Sequence, residues 1–168
     1  MPFLIKTRVR KIKSFYYTWR VKRVVATFRE PLKVNGKSVV TNNTYLGKNV
    51  NLNGMRIVGG GVVRIGDNFH SGTECQMITE FHNYEGTEIP YDSIHVFKDI
   101  VIGDNVWVGN RVLILGGVTL GEGVIVQAGS VVVNDIPECS IVGGHPAKLF
   151  KYRNKDHYFN LKSQGKFH

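Results

Sequence analysis

Five residues recur four times in this 168-residue chain, as Leu46-Gly-Lys-Asn-Val50, Ile65-Gly-Asp-Asn-Phe69, Ile102-Gly-Asp-Asn-Val106 and Leu120-Gly-Glu-Gly-Val124. Their starting positions, 46, 65, 102 and 120, are separated by 19, 37 and 18 residues. A nearly fixed return of this length marks a repeat architecture, in which one short unit stacks on the next. The doubled interval in the middle marks a single excursion of roughly 19 residues from the period.

A finer period runs inside the larger one. From Ile102 an aliphatic residue returns every sixth position, at Val108, Ile114, Leu120, Val126 and Val132. Four residues after each stands a second small or β-branched residue: Val106, Val112, Val118, Val124, Ser130 and Ile136. An α-helix turns about 100° per residue, so six-residue steps would scatter these side chains around it. A strand alternates with period two, and six and four are both even, so on strands both sets face the same way. Val and Ile suit strands, while the Gly, Asn and Asp of the cassettes tolerate the positive φ of tight turns. The pattern predicts short strands and turns, three sides to a coil, each coil pairing with those above and below as in a parallel β-helix. Sandwich strands, spaced by roughly 8–12 residues with variable turns, do not produce six hexads in register.

The stretch Ile102–Lys148, IGDNVWVGNRVLILGGVTLGEGVIVQAGSVVVNDIPECSIVGGHPAK, resembles the hexapeptide-repeat acyltransferases. It is most similar to the branch containing maltose, capsular-sugar and streptogramin acetyltransferases. The likeness is specific over this block, continues weakly back to Thr44, and is absent from the first forty residues and the last fifteen. It implies an all-β fold, a left-handed parallel β-helix solenoid, with the hand coming from the resemblance alone. It also implies acetyl-CoA as co-substrate, no metal, and a homotrimer with three sites in the clefts between adjacent coils. The expected organisation is a basic amphipathic helix over 1–30, a catalytic β-helix over 44–147 carrying a loop at 79–99, and a C-terminal tail at 148–168.

Length suits one domain, and a normal apolar fraction argues against disorder. Cys75 and Cys139 lie too far apart for a zinc pattern and are expected to be buried free thiols. No segment approaches the ~20 apolar residues of a membrane span. The basic N-terminus lacks the apolar region of a signal peptide, so a cytoplasmic protein is expected.

Charge is unevenly placed. Residues 1–29 hold nine basic side chains (Lys6, Arg8, Arg10, Lys11, Lys13, Arg20, Lys22, Arg23 and Arg29) and no acid, so the formal net charge of +9 belongs to this segment. Ile5, Val9, Ile12, Tyr16 and Trp19 follow helical spacing. The favoured expectation is that this apolar stripe packs on the open end of the solenoid as a cap. The second reading is peripheral contact of residues 1–29 with an anionic membrane, or attraction of a lipid- or nucleotide-linked substrate. No nucleic-acid recognition module is visible, and nucleic acid is not an expected partner.

The excursion, TEFHNYEGTEIPYDSIHVFKD, runs from Thr79 to Asp99. A long loop inside a regular solenoid is usually functional. Acyl transfer to a hydroxyl requires the acceptor proton to leave as oxygen attacks the thioester, and an imidazole with a pKa near ~6.5 suits that role. The residues alone do not separate His82 from His95. The resemblance selects His82, which stands where similar acetyltransferases carry their catalytic histidine. Glu85 and Glu80 are candidates to orient it.

The resemblance also places the donor on the solenoid flank. Gly109, Asn110, Ala128 and Gly129 offer the small residues that a pantetheine arm needs for close approach. Gly103 and Gly121, inside the cassettes, are read as turn glycines. Trp107 follows Val106 and points outward by alternation, to be covered by a neighbouring subunit or the coenzyme. Lys148, Lys151 and Arg153 cluster at the end that holds the adenosine phosphates in similar proteins, with Lys148 and Arg153 the expected contacts.

The expected activity is acetyl transfer to a hydroxyl of a sugar or glycan precursor. The loop reads Phe-His-Asn-Tyr-Glu and Ile-Pro-Tyr-Asp, departing from the Asn-His-Arg-x-Asp-Gly and Tyr-Pro-Phe of the streptogramin branch. N-acetylation of an amino sugar, or antibiotic modification, stays open because base catalysis serves both. A zinc enzyme like the γ-class carbonic anhydrases shares the solenoid but needs convergent histidines. Here no two histidines are closer than 11 residues (157 to 168), and that family's His-x4-His pair is missing. A non-catalytic solenoid would have no need of the histidine loop.

Overall fold

The computed structural model describes the backbone of residues 2–168 and the side chains from Arg8 onward. Short strands fall into three parallel sheets, which the chain visits in turn. The first sheet holds Thr44–Leu46, Val63–Ile65, Ile100–Ile102 and Thr119–Leu120. The second holds Val50–Asn53, His70–Thr73, Trp107–Val108, Ile125–Val126 and Ser140–Gly144. The third holds Arg56–Val58, Gln76–Ile78, Leu113–Leu115 and Val131–Val132. Ile65 lies beside Ile102, Ile102 beside Leu120, Val108 beside Val126, and Ile114 beside Val132. The sequence period is thus the pairing register of a parallel β-helix. All twelve hexad residues from Ile102 to Ile136 are buried along its axis. Each large aliphatic among them contributes roughly 1.5–3 kcal/mol by leaving water.

The cassettes turn the corner between the first and second sheets. Their fourth residues, Asn49, Asn68 and Asn105, have φ of 57°, 55° and 59°, and Gly123 has φ 70°. Short polar side chains and glycine are the residues that tolerate this conformation. The second-position glycines are required for a different reason from the one expected. Gly103 and Gly121 are not in the left-handed region; a Cβ on Gly103 would sit 2.8 Å from Glu122 N, and one on Gly121 would sit 2.5 Å from Glu138 N. Close approach of the next coil, not a turn conformation, excludes side chains there.

The asparagines form a ladder. Asn49 Nδ2 donates to Asn68 Oδ1 (3.0 Å), and Asn68 Nδ2 donates to Asn105 Oδ1 (2.8 Å). The fourth cassette breaks the ladder with Gly123, and the hydroxyl of Tyr158 continues it. Asn105 Nδ2 donates to Tyr158 Oη (2.8 Å), which donates to Glu122 Oε1 (2.8 Å), and Lys162 Nζ donates to the same oxygen (2.6 Å). A Cβ on Gly123 would lie 2.9 Å from Tyr158 Cζ. The odd cassette, Glu122-Gly123, is therefore a socket for the C-terminal helix α2 (Lys155–Ser163). That helix starts at Asn154, whose Oδ1 accepts from His157 N, a side-chain N-cap. Residues 148–168 are accordingly more than a tail. Ala147–Tyr152 folds back antiparallel on Ser140–Gly144, and α2 docks beyond it.

The coil also begins before the recognisable repeat. Thr27–Phe28 pairs with Thr44–Leu46, and Leu32–Gly36 pairs with Val50–Asn53. Helix α1 (Pro2–Lys22) lies against this first coil. Val21 and Val25 enter the core and Tyr17 packs on it. Thr18 Oγ1 accepts from Val34 N (2.9 Å), and Ser14 Oγ donates to Asn35 Oδ1 (3.1 Å). The expected cap forms, but through a different face. Val9, Ile12, Tyr16 and Trp19 all face solvent. The side chains of Ile5 and Lys6 lie outside the described residues. The reason is that the first coil presents an unpaired backbone N–H, which the Thr18 hydroxyl satisfies and an apolar stripe would leave orphaned.

Cys75 and Cys139 are buried free thiols, as expected. Among the described residues no helix is long and apolar enough to cross a membrane.

Candidate active site

The excursion is a hairpin. Glu80–His82 and His95–Phe97 pair antiparallel, with His82 opposite His95. Its base sits on glycine corners of the solenoid. A Cβ on Gly60 would lie 2.6 Å from Phe97 Cε1, and one on Gly116 would lie 2.9 Å from Phe81 Cε2. The tip is organised by Asp92, whose buried carboxylate accepts from Asn83 Nδ2 (3.0 Å) and Ile94 N (2.9 Å). Gly86 is needed beside it, because a Cβ there would collide with the Asp92 carboxylate. Sequence reasoning passed over Asp92; an Asp bonding the backbone two residues on is a turn signal that would have found it.

His82 is exposed near the hairpin base. Its ring stacks on Tyr91 (centroids 3.8 Å apart, 11° between planes), and the His95 ring is 5.4 Å away. Glu80, expected as an orienting group for His82, instead meets the other histidine, with His95 Nδ1 2.6 Å from Glu80 Oε1. The pleat explains this, since Glu80 and His82 share a face and His95 stands directly across from His82. What holds the His82 ring in this chain is an aromatic plane.

On the second sheet, outward residues of successive coils stack in register, with Asn51 beside His70, His70 beside Trp107, and Trp107 beside Ile125. Beside them runs a groove of about 770 Å³. Gly109, Asn110 and Ala128 line it, as does Arg10 of α1. Gly109 also has a packing reason, because a Cβ would lie 2.5 Å from Ala128 N. The Asn110 side chain accepts from Thr73 N (2.9 Å) of the preceding coil. Gly129 forms the adjoining turn with φ 74° and is not part of the wall. Trp107 is half exposed and faces outward, as alternation requires. Sequence reasoning missed Asn53 and His70, which line the same groove, with Asn53 Nδ2 3.3 Å from His70 Nε2. Both occupy outward positions in the stack, which is the signal that would have selected them. Burial, and secondarily the charge of His168, lowers the His70 pKa and favours the neutral imidazole.

A second hollow of about 450 Å³ adjoins the first, with Trp107 and His70 lining both. Arg153, Lys162 and Lys166 line it, and no Asp or Glu side chain does, although His168, whose backbone ends in a carboxylate, also lines it. Arg153 Nε also donates to Gly123 O (2.6 Å), and its guanidinium lies 5.2 Å from the Tyr158 ring centre. The expected C-terminal cluster is thereby divided. Arg153 reaches this hollow, while Lys148, in the Ala147–Tyr152 strand, lines neither cavity. No residue of 79–99 lines either cavity, so within one chain His82 and the groove stand apart. Among the described residues no group of three or more His, Cys, Asp or Glu side chains could hold a metal ion.

This parallel β-helix defines a class of hexapeptide-repeat proteins, and residues 99–134 match the profile of the bacterial transferase hexapeptide (six repeats). The chain is 30% identical to a hexapeptide-repeat-containing acetyltransferase of Vibrio cholerae, with a TM-score of 0.59 over 75% of this chain and 69% of that one. A galactoside acetyltransferase solved in complex with coenzyme A is 28% identical, with a TM-score of 0.66 over 82% of this chain and 70% of that one. The galactoside O-acetyltransferase of Escherichia coli (strain K12) is 32% identical over 121 residues, 70% of this chain and 59% of its own length. This chain belongs to the hexapeptide-repeat acetyltransferases, and its solenoid is their left-handed β-helix. It spans about half the length of the curated relatives it matches.

Proposed function

We propose that this protein transfers an acetyl group from acetyl-CoA to a hydroxyl of a sugar or glycan precursor, with His82 as general base. The observation that carries the reading is the pairing of an exposed hairpin imidazole with a solenoid groove floored by small residues. The names of the galactoside relatives, and the coenzyme A in one solved neighbour, support donor and acceptor class. The pantetheine arm lies along Gly109, Asn110 and Ala128, with the turn at Gly129 beside it. Its phosphates approach Arg153 in the hollow that Lys162 and Lys166 also line. Because His82 and the groove stand apart in one chain, a homotrimer supplies the missing half, the hairpin of one copy facing the groove of the next.

In the reaction, the acceptor hydroxyl gives its proton to His82 as its oxygen bonds to the thioester carbonyl carbon. The tetrahedral intermediate collapses with C–S cleavage, and the proton passes from the imidazolium to the departing thiolate. Stacking on Tyr91 fixes the plane of the ring. A coupled thiol-release assay across galactosides, simple sugars and nucleotide sugars tests this. His82→Ala should lower kcat by about 10²–10⁴-fold, the usual weight of a general base, while calorimetric CoA binding is unchanged. His95→Ala should retain most activity. Near-normal turnover in His82→Ala would overturn the assignment.

A further inference from the structure

Among the described residues the outward face of α1 has no partner in the fold, and its composition suits one surface. At about 100° per residue, Ile12 lies about 180° around the helix from Val21, the residue that enters the core. Ile12 is 68% exposed, Phe15 77%, Tyr16 50% and Trp19 44%. On the same projection Lys11 and Lys22 flank this strip on one side and Lys13 and Arg20 on the other. Lys22 is paired with Glu30, and Arg23 lies 4.1 Å from the Trp19 ring centre. Residues 1–29 contain no carboxylate side chain at all.

We propose that α1 docks this protein on an anionic lipid bilayer, lying in the plane of the interface. An apolar strip with two exposed aromatic amphiphiles, bordered by long cationic side chains, is the pattern of an interfacial helix. Tyr and Trp sit at headgroup level, and Lys and Arg reach outward to lipid phosphates. Charge selects this occupant over the others. Two copies meeting through this face would set two cationic borders against each other. A nucleic acid would satisfy the cations but leave Ile12 and Phe15 in water. The same helix carries Arg10 at the groove, so docking sets one end of that groove beside the headgroups. The proposal is independent of the acetyl-transfer reading, because its test measures binding and not turnover.

The test is flotation of the full chain with vesicles of phosphatidylcholine alone and of phosphatidylcholine mixed with phosphatidylglycerol. The protein should float with the anionic vesicles only, and less so as salt is raised. Lys13→Glu with Arg20→Glu should weaken partitioning at least about 25-fold, at roughly fivefold per lost cation near the surface. Ile12→Ser with Trp19→Ser should also abolish flotation while leaving the circular dichroism spectrum and melting profile intact, because neither side chain enters the core. Equal flotation with both vesicle types, or wild-type flotation in either double variant, would overturn the proposal. So would a change of oligomeric state in lipid-free Ile12→Ser/Trp19→Ser, which would make the face an interface between copies.

Discussion

Replacing Asn68 at the middle of the corner ladder separates two roles that one residue performs. The Asn68 side chain accepts from Asn49 and donates to Asn105, at 3.0 and 2.8 Å, and its backbone has φ 55°. Asn68→Ala removes both bonds, worth about 1 kcal/mol each. It also places a Cβ without local bonding in the left-handed region, at about 1–2 kcal/mol. The expected loss is about 3–4 kcal/mol, a large share of the stability of a domain this size. Asn68→Gly loses the same two bonds but not the conformational cost. Glycine's greater freedom in the unfolded chain offsets about 0.5–1 kcal/mol of that advantage. Asn68→Gly should therefore be more stable than Asn68→Ala by about 0.5–1 kcal/mol. Urea unfolding followed by circular dichroism, at one fixed protein concentration, measures both. If the glycine variant is equal to or less stable than the alanine variant, the backbone is not being held at positive φ and the account of the cassette fails. If both match wild type, the ladder contributes nothing.

Two further outcomes follow from the described contacts. Asp92→Ala should release the hairpin tip, since Asn83 Nδ2 and Ile94 N lose their acceptor. Limited proteolysis should cut between 83 and 94 many times faster, while the urea midpoint of the solenoid hardly moves because the hairpin lies outside the core. Burial raises the Glu122 carboxyl pKa, but bonds from Lys162, Tyr158 and Asn105 outweigh it and hold the group below its ordinary value. Its contribution is then complete above the ordinary carboxylate range and is lost as pH falls through the lowered value. On acidification α2 should undock before the solenoid unfolds, seen as early loss of the Tyr158 environment by NMR, and Glu122→Gln should lack that separate acid transition.

The hairpin shows where legibility stopped. Its position follows from the 37-residue gap, and the presence of histidines is plain in the sequence. That Glu80 meets His95, and that His82 stacks on Tyr91, depends on the antiparallel register and on the fold of the tip around Asp92. The groove divides in the same way. Gly109, Asn110 and Ala128 were selected from the repeat block, while Asn53 and His70 come from coils where the likeness is weak and were overlooked.

The sequence by itself determined the coil, its register and its inward residues. In a solenoid every contact between coils has the same offset along the chain, so periodicity is a direct record of tertiary pairing. Only the tertiary structure decided the elements outside that period. The packed face of α1 was set by the orphan Val34 N–H of the first coil, not by the helix's own apolar stripe. The Gly123 socket was set by Tyr158, 35 residues away, with no periodic relation to it. Such contacts depend on which surfaces the finished coil leaves unsatisfied, and those exist only once the coil has formed.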